Sequence, residues 1–138
     1  MASIIEEVAI DARPEDVWAA LRDFGALHER LAPGFVVDCR LEGDDTRVVT
    51  FFNGAVAREV LIGIDDTRHR LAYSVVESPM GFAHNSASAQ VFAEGADRSR
   101  FVWITDLLPN GLGPRTAELM EHGIAVIKRT MESQTVDR

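Results

Sequence analysis

The sequence predicts an α+β domain: a seven-stranded antiparallel sheet with its helices on one face. Three observations carry this prediction. A short Ile/Val-rich segment leads straight into a proline-led helical segment. Six β-rich segments then follow, divided only by turn signals. A terminal stretch after a Pro/Gly breaker changes to helical periodicity. At 138 residues the chain has room for one domain and one core.

The first segment, Ile4 to Asp11, reads as a strand. Its set Ile4, Glu6, Val8 and Ile10 is the more apolar one and is expected to face the core, with Glu6 an uncomfortable member. A helix is expected from Pro14, because proline suits the first turn and Glu15 and Asp16 suit the positive end of the helix dipole. Val17, Trp18 and Leu21 lie at helical spacing, and Gly25 ends the piece. A second short helix is expected over about Ala26 to Leu31, before Pro33-Gly34.

Strands are then expected over Phe35 to Leu41, Arg47 to Phe52, Val56 to Ile64, Leu71 to Glu77, His84 to Phe92 and Arg100 to Leu108. The Asn53-Gly54 pair is a strong hairpin signal, because both residues tolerate positive φ. Successive hairpins make the sheet antiparallel. Beyond Pro109 to Gly113, a helix is expected from Pro114 to about Glu132. Its stripe of Leu119, Met120, Ile124, Ile127 and Met131 has three- and four-residue spacing. At roughly 28 Å it is the only element long enough to cover the sheet. One strand, two short helices, six strands and a long C-terminal helix is the layout of the helix-grip fold. A curved sheet gripping one helix leaves space between them.

Composition narrows the function classes. Net charge is −8, from 14 Lys+Arg against 22 Asp+Glu, so phosphate repels the chain and no nucleic-acid partner is expected. No run reaches the roughly 18 apolar residues of a membrane span. The opening MASIIEEVAI lacks a basic start, so it does not read as a secretory signal. A cytoplasmic location fits these features. The lone Cys39 forms no internal disulfide and is expected to be a buried small residue. His28, His69 and His122 show no ligand spacing, so neither metal nor cofactor is expected.

The stretch Ile10-Asp11-Ala12-Arg13-Pro14-Glu15-Asp16-Val17-Trp18 resembles the opening signature of the START/Bet v 1-like (SRPBCC) superfamily, and within it the bacterial polyketide cyclase/dehydrase group. Ala57-Arg58-Glu59-Val60, Leu71-Ala72-Tyr73 and Phe101-Val102-Trp103 are similar to its strand patterns. The resemblance spans almost the whole chain. It implies a hollow between sheet and helix that holds a hydrophobic or aromatic small molecule. It leaves open a polyketide cyclase or dehydratase without cofactor, a carrier or sensor, and a homodimer.

Alternation nominates residues for that hollow. In Val56 to Ile64 the set Val56, Arg58, Val60, Ile62, Ile64 is bulkier than Ala57, Glu59, Leu61, Gly63, so Arg58 and Val60 are expected inside. A buried Arg58 needs a partner: a ligand oxygen it polarises, or a structural carboxylate such as Glu6. Tyr73 shares an inward set with Leu71 and Val75, and Trp103 with Phe101, Thr105 and Leu107. Each suits a ligand or an ordinary core. The run His84-Asn85-Ser86-Ala87-Ser88-Ala89-Gln90 is rich in small residues, which leaves room for a ligand or for the helix. The family often has an aromatic residue near Asn85, so this asparagine is a departure that adds a donor and an acceptor. Phe51, Met120 and Ile124 complete the expected lining, and Met80-Gly81-Phe82 is a candidate gate or plug at the mouth. Arg58, Tyr73 and Glu6 are the candidate catalytic groups.

Overall fold

The computed structural model describes residues 1–136, with side chains through 134. Strand β1 (Ala2–Ile10) is followed by helix α1 (Pro14–Arg22) and a short helical turn (Leu27–Leu31). Six strands follow: β2 (Val36–Glu42), β3 (Thr46–Phe51), β4 (Val56–Asp65), β5 (Arg70–Glu77), β6 (His84–Ala93) and β7 (Ser99–Leu108). A 3₁₀ turn (Asn110–Leu112) leads into α2 (Gly113–Val136). All seven strands form one sheet in the order β1-β7-β6-β5-β4-β3-β2. The meander puts each strand beside its predecessor, and β1 then closes on the free edge of β7, from Ala2 opposite Leu107 to Ile10 opposite Ser99.

Two local details differ from the expectations. The second short helix is π-type, because the Ala32 N–H reaches the Leu27 carbonyl at 2.9 Å, five residues back. Helix α2 runs from Gly113 to Val136, so its 24 residues span about 36 Å. The extension is one residue at the start and four, about one turn, at the end.

The β3–β4 hairpin turns through Asn53-Gly54, with Gly54 at φ 86° and the Asn53 side chain accepting from the Ala55 N–H at 3.1 Å. Its ladder pairs Thr50 with Val56, Val49 with Ala57 and Arg47 with Glu59. Register shifts occur in β2/β3 between Val36 and Asp38, and in β4/β5 between Arg58 and Glu59 and between Leu61 and Gly63. Such bulges increase local twist and bend the strands. The sheet therefore wraps around α2 instead of lying flat beneath it.

The two ends of the domain pack differently. At one end α1 and the π-turn close the sheet over a solid core that includes Ile10, Val17, Leu31, Val36, Leu71 and Phe101. Trp18 in α1 donates to Asp66 at 3.0 Å and stacks on His69 at 5.3 Å. The Arg22 guanidinium and the Trp18 indole hold the Asp66 carboxyl below its ordinary range. At the same end α2 is fastened to β1: Lys128 donates to the Ala9 carbonyl at 2.8 Å, and Glu132 accepts from the Asp11 N–H at 2.9 Å. That amide and Lys128 hold the Glu132 carboxyl below its ordinary range. Along its length α2 packs chiefly on β1, with fewer contacts to β7. The middle of the sheet is left clear at the opposite end.

Candidate functional site

That clearance is a cavity of about 450 Å³, open at the end away from α1. Strands β3 to β7 form its floor, α2 its roof, and the β5–β6 loop with the 3₁₀ turn its rim. Its existence follows from side-chain size. Ala57 in β4 and Ala87 in β6 point inward where larger residues would fill the space. The low bulk of β6 has the consequence the sequence suggests, because Asn85, Ala87 and Ala89 form its buried face.

The β5–β6 ladder widens the space further. It runs from Arg70 opposite Gln90 only as far as Tyr73 opposite Ala87. Beyond that point side-chain bonds replace backbone pairing. The Val75 N–H donates to Asn85 Oδ1 at 3.3 Å, and Ser74 Oγ donates to the Asn85 carbonyl at 2.5 Å. Asn85 is thus a wedge that keeps two strands joined while they part, and it is buried at the cavity wall.

A smaller void of about 70 Å³ lies deeper, toward the core. Phe35, Phe51, Glu59, Tyr73 and Trp103 line both spaces and form the wall between them. Gly123 of α2 closes that wall from above. A Cβ there would stand 3.0 Å from Phe35 and 3.1 Å from Trp103, so glycine lets the helix descend onto both rings.

The wall holds the polar chemistry. Arg47 and Glu59, each 5% exposed, face each other across the β3–β4 ladder. Arg47 Nε donates to Glu59 Oε1 at 2.8 Å, and its Nη1 donates to the Phe24 carbonyl at 3.2 Å. The guanidinium also lies 4.1 Å from the Phe24 ring centre and 5.3 Å from that of Tyr73. Trp103 Nε1 donates to the Tyr73 hydroxyl at 3.0 Å. Burial pushes the Tyr73 phenol well above its ordinary range, and the negative charge of Glu59 adds to the rise. Among the described residues, no three His, Cys, Asp or Glu side chains converge as a metal site would require.

The sequence-based candidates divide. Tyr73, Asn85, Trp103, Phe51 and Met120 line the cavity, as do Met80 and Phe82 of the rim loop. Arg58 does not. From Val56 to Ile62 the phase of β4 is opposite to the one expected: Ala57 and Glu59 are buried, whereas Val56 and Ile62 are exposed; past the register shift at Leu61/Gly63, Ile64 packs against the core as expected. Arg58 therefore lies on the outer face, its side chain 33% exposed, paired with Glu42 and with Glu77 at 3.2 Å. Val60 shares that outer phase and lies outside the lining. Glu6 is on the helix-facing side of β1, opposite Trp103 in register, yet it does not reach the cavity. Ile124 is buried in the solid core, beyond the wall. The expectation missed Glu59, Arg47 and Phe35, and at the rim the exposed Arg115. The predicted hairpin carried a signal for the first two, because counting outward from Asn53 pairs Arg47 with Glu59.

Comparison with known proteins agrees with this architecture. The sequence profile of the family described as polyketide cyclase / dehydrase and lipid transport matches residues 1–134. No curated protein of related sequence was found. Among solved structures, an uncharacterised protein from Bacillus thuringiensis superposes with a TM-score of 0.85 at 18% identity, over 94% of this chain and 98% of that one. A START superfamily protein from Mycobacterium smegmatis gives 0.74 at 13% identity, over 96% and 95%. Norcoclaurine synthase from Thalictrum flavum, in complex with dopamine and hydroxybenzaldehyde, gives 0.74 at 16% identity, over 99% and 87%. At these identities the structural likeness speaks for the fold, and the profile match speaks for descent. The chain belongs to the polyketide cyclase/dehydrase and lipid transport family, with the helix-grip fold of the START and Bet v 1-like proteins.

Proposed function

We propose that this protein binds a hydrophobic or aromatic small molecule in the cavity between the sheet and α2. The observation that carries the reading is the cavity itself: about 450 Å³, open at one end and walled by Phe35, Phe51, Trp103 and Met120. That volume falls within the range of small-molecule sites, which combine apolar walls with a few placed polar groups. Filling it removes the apolar walls and the guest together from water, at about 25 cal/mol for each Å² buried.

Two uses of such binding are consistent with the family: carriage or sensing of the guest, and its conversion by a cyclase- or dehydratase-like reaction. One observation favours the second. Glu59 and Tyr73 supply a proton acceptor and a proton donor to the same cavity. A paired acceptor and donor beside a confined guest are the parts that acid–base chemistry uses. With Arg58 outside, that role falls to these two.

Native mass spectrometry of protein purified from its own host tests the binding. The expected result is an added mass that dissociates as a small apolar molecule. The apo mass alone, with no uptake from an extract of the host, would overturn it. Incubating the released molecule with fresh protein then separates the two uses. Conversion to a new product that is lost in Glu59→Gln marks an enzyme, and recovery of the unchanged molecule marks a carrier.

A further inference from the structure

The hydrogen-bonding capacity left over at the cavity wall has a definite sign at each position. Glu59 Oε1 is taken by Arg47, while no partner meets Oε2 among the described residues. A carboxylate paired with arginine only accepts hydrogen bonds. Glu59 therefore offers an open acceptor.

Tyr73 offers the reverse. An indole N–H can only donate. The bond from Trp103 Nε1 therefore occupies the acceptor side of the Tyr73 oxygen and leaves the phenolic proton to be given. The same logic orients Asn85. The Val75 N–H can only donate, so the atom it meets at 3.3 Å is the amide oxygen. The Asn85 NH₂ group then has no acceptor among the described residues and is available to the cavity it lines. The wall thus presents one anionic acceptor on β4, and neutral donors on β5 and β6.

We infer that the cavity selects a neutral guest that places a hydroxyl group on Glu59 and a carbonyl oxygen on Tyr73 and Asn85, and that it rejects carboxylates at this wall. The inference rests on the proposed binding in this cavity. The rejection follows from charge. Arg47 is already committed to Glu59 and to the Phe24 carbonyl, so a second carboxylate would meet Glu59 without a cation to compensate it. In a water-poor site that repulsion is stronger than in solvent. Arg115 lines the cavity from the exposed start of α2, not from the strands that carry this wall. A carboxylate is disfavoured at this wall, whereas an aromatic hydroxy-ketone carries the donor and the acceptor that its groups lack.

Calorimetric titration with matched naphthalenes tests this. In the wild-type protein 2-naphthol is expected to bind about tenfold more tightly than 2-methoxynaphthalene, the gain of one hydrogen bond to a charged acceptor. 2-Naphthoate is expected to bind more weakly than both. 2-Acetylnaphthalene should bind roughly fivefold more tightly than 2-ethylnaphthalene, and Tyr73→Phe should narrow that gap. Glu59→Gln should shrink both the preference for naphthol and the penalty on naphthoate. If Glu59→Gln fails to fold, the wild-type ranking and Tyr73→Phe decide the matter. Equal binding of naphthol, methoxynaphthalene and naphthoate by the wild type would overturn the inference and leave the cavity reading standing. No binding of any naphthalene would overturn both.

Discussion

Removing the Arg47 guanidinium strips Glu59 of its charge partner inside the protein. Arg47→Met keeps most of the side-chain length but leaves the Glu59 carboxylate, 5% exposed, facing only the cavity. The same change takes a donor from the Phe24 carbonyl, now met at 3.2 Å, and a cation from the face of the Phe24 ring. Breaking a buried pair by removing one member costs about 3–5 kcal/mol, because the other charge remains. Replacing both members with apolar residues is commonly neutral or stabilising, so Arg47→Met/Glu59→Leu should recover most of the loss. Urea unfolding followed by circular dichroism reads both variants. At a slope of about 2 kcal/mol per molar, the single variant should lower the midpoint by roughly 2 M. A single variant within about 1 kcal/mol of wild type would refute the reasoning, since exposed pairs behave that way. A double variant as unstable as the single one would also refute it.

Three further outcomes follow from named contacts. Tyr73 is the only tyrosine, so ultraviolet titration reports it directly. Its folded-state value lies above the ordinary 10.0, so the neutral phenol's contribution to stability is intact below pH 10 and is lost as pH rises beyond it. Ionisation near pH 10 in the folded protein would contradict that. Gly123→Ala should destabilise by about 1 kcal/mol, with overpacking at Phe35 and Trp103 exceeding the gain in helix propensity; adding Phe35→Leu should recover the loss in thermal unfolding. Arg58→Ala should cost less than about 1 kcal/mol and leave ligand affinity unchanged, because its partners are outer-face carboxylates; a large loss of affinity would return this arginine to the interior.

The element order was legible because each piece has a local cause. Pro14 starts α1, Asn53-Gly54 turns a hairpin, and a spaced apolar stripe marks α2. The inward set of β4 was not legible from β4 alone. Counting apolar bulk chose Val56, Val60 and Ile62, yet a strand that floors a cavity carries small residues inside, and here Ala57 does so. Glu59 is tolerable inside only because Arg47 on the neighbouring strand meets it. That pairing is a property of register, visible only when the hairpin is extended outward from its turn. Tyr73 and Trp103 were picked out by the alternation of apolar residues in their segments, and Asn85 by the low bulk of the segment around it. The role of Asn85 as a wedge was not, because it depends on where the β5–β6 ladder stops. The Gly123 approach depends on the angle at which α2 descends, and no spacing in the chain encodes that.

The most direct test is a residue-resolved titration: ¹H–¹⁵N correlation spectra of the protein as naphthalene is added. The account predicts concentrated shifts at the Trp103 indole N–H, the Asn85 side-chain amide and the backbone of Ala87, Thr105 and Met120, with Arg58 and Val60 unmoved. Saturating shifts confined to the outer face, or an unchanged spectrum at the solubility limit of the probe, would contradict it.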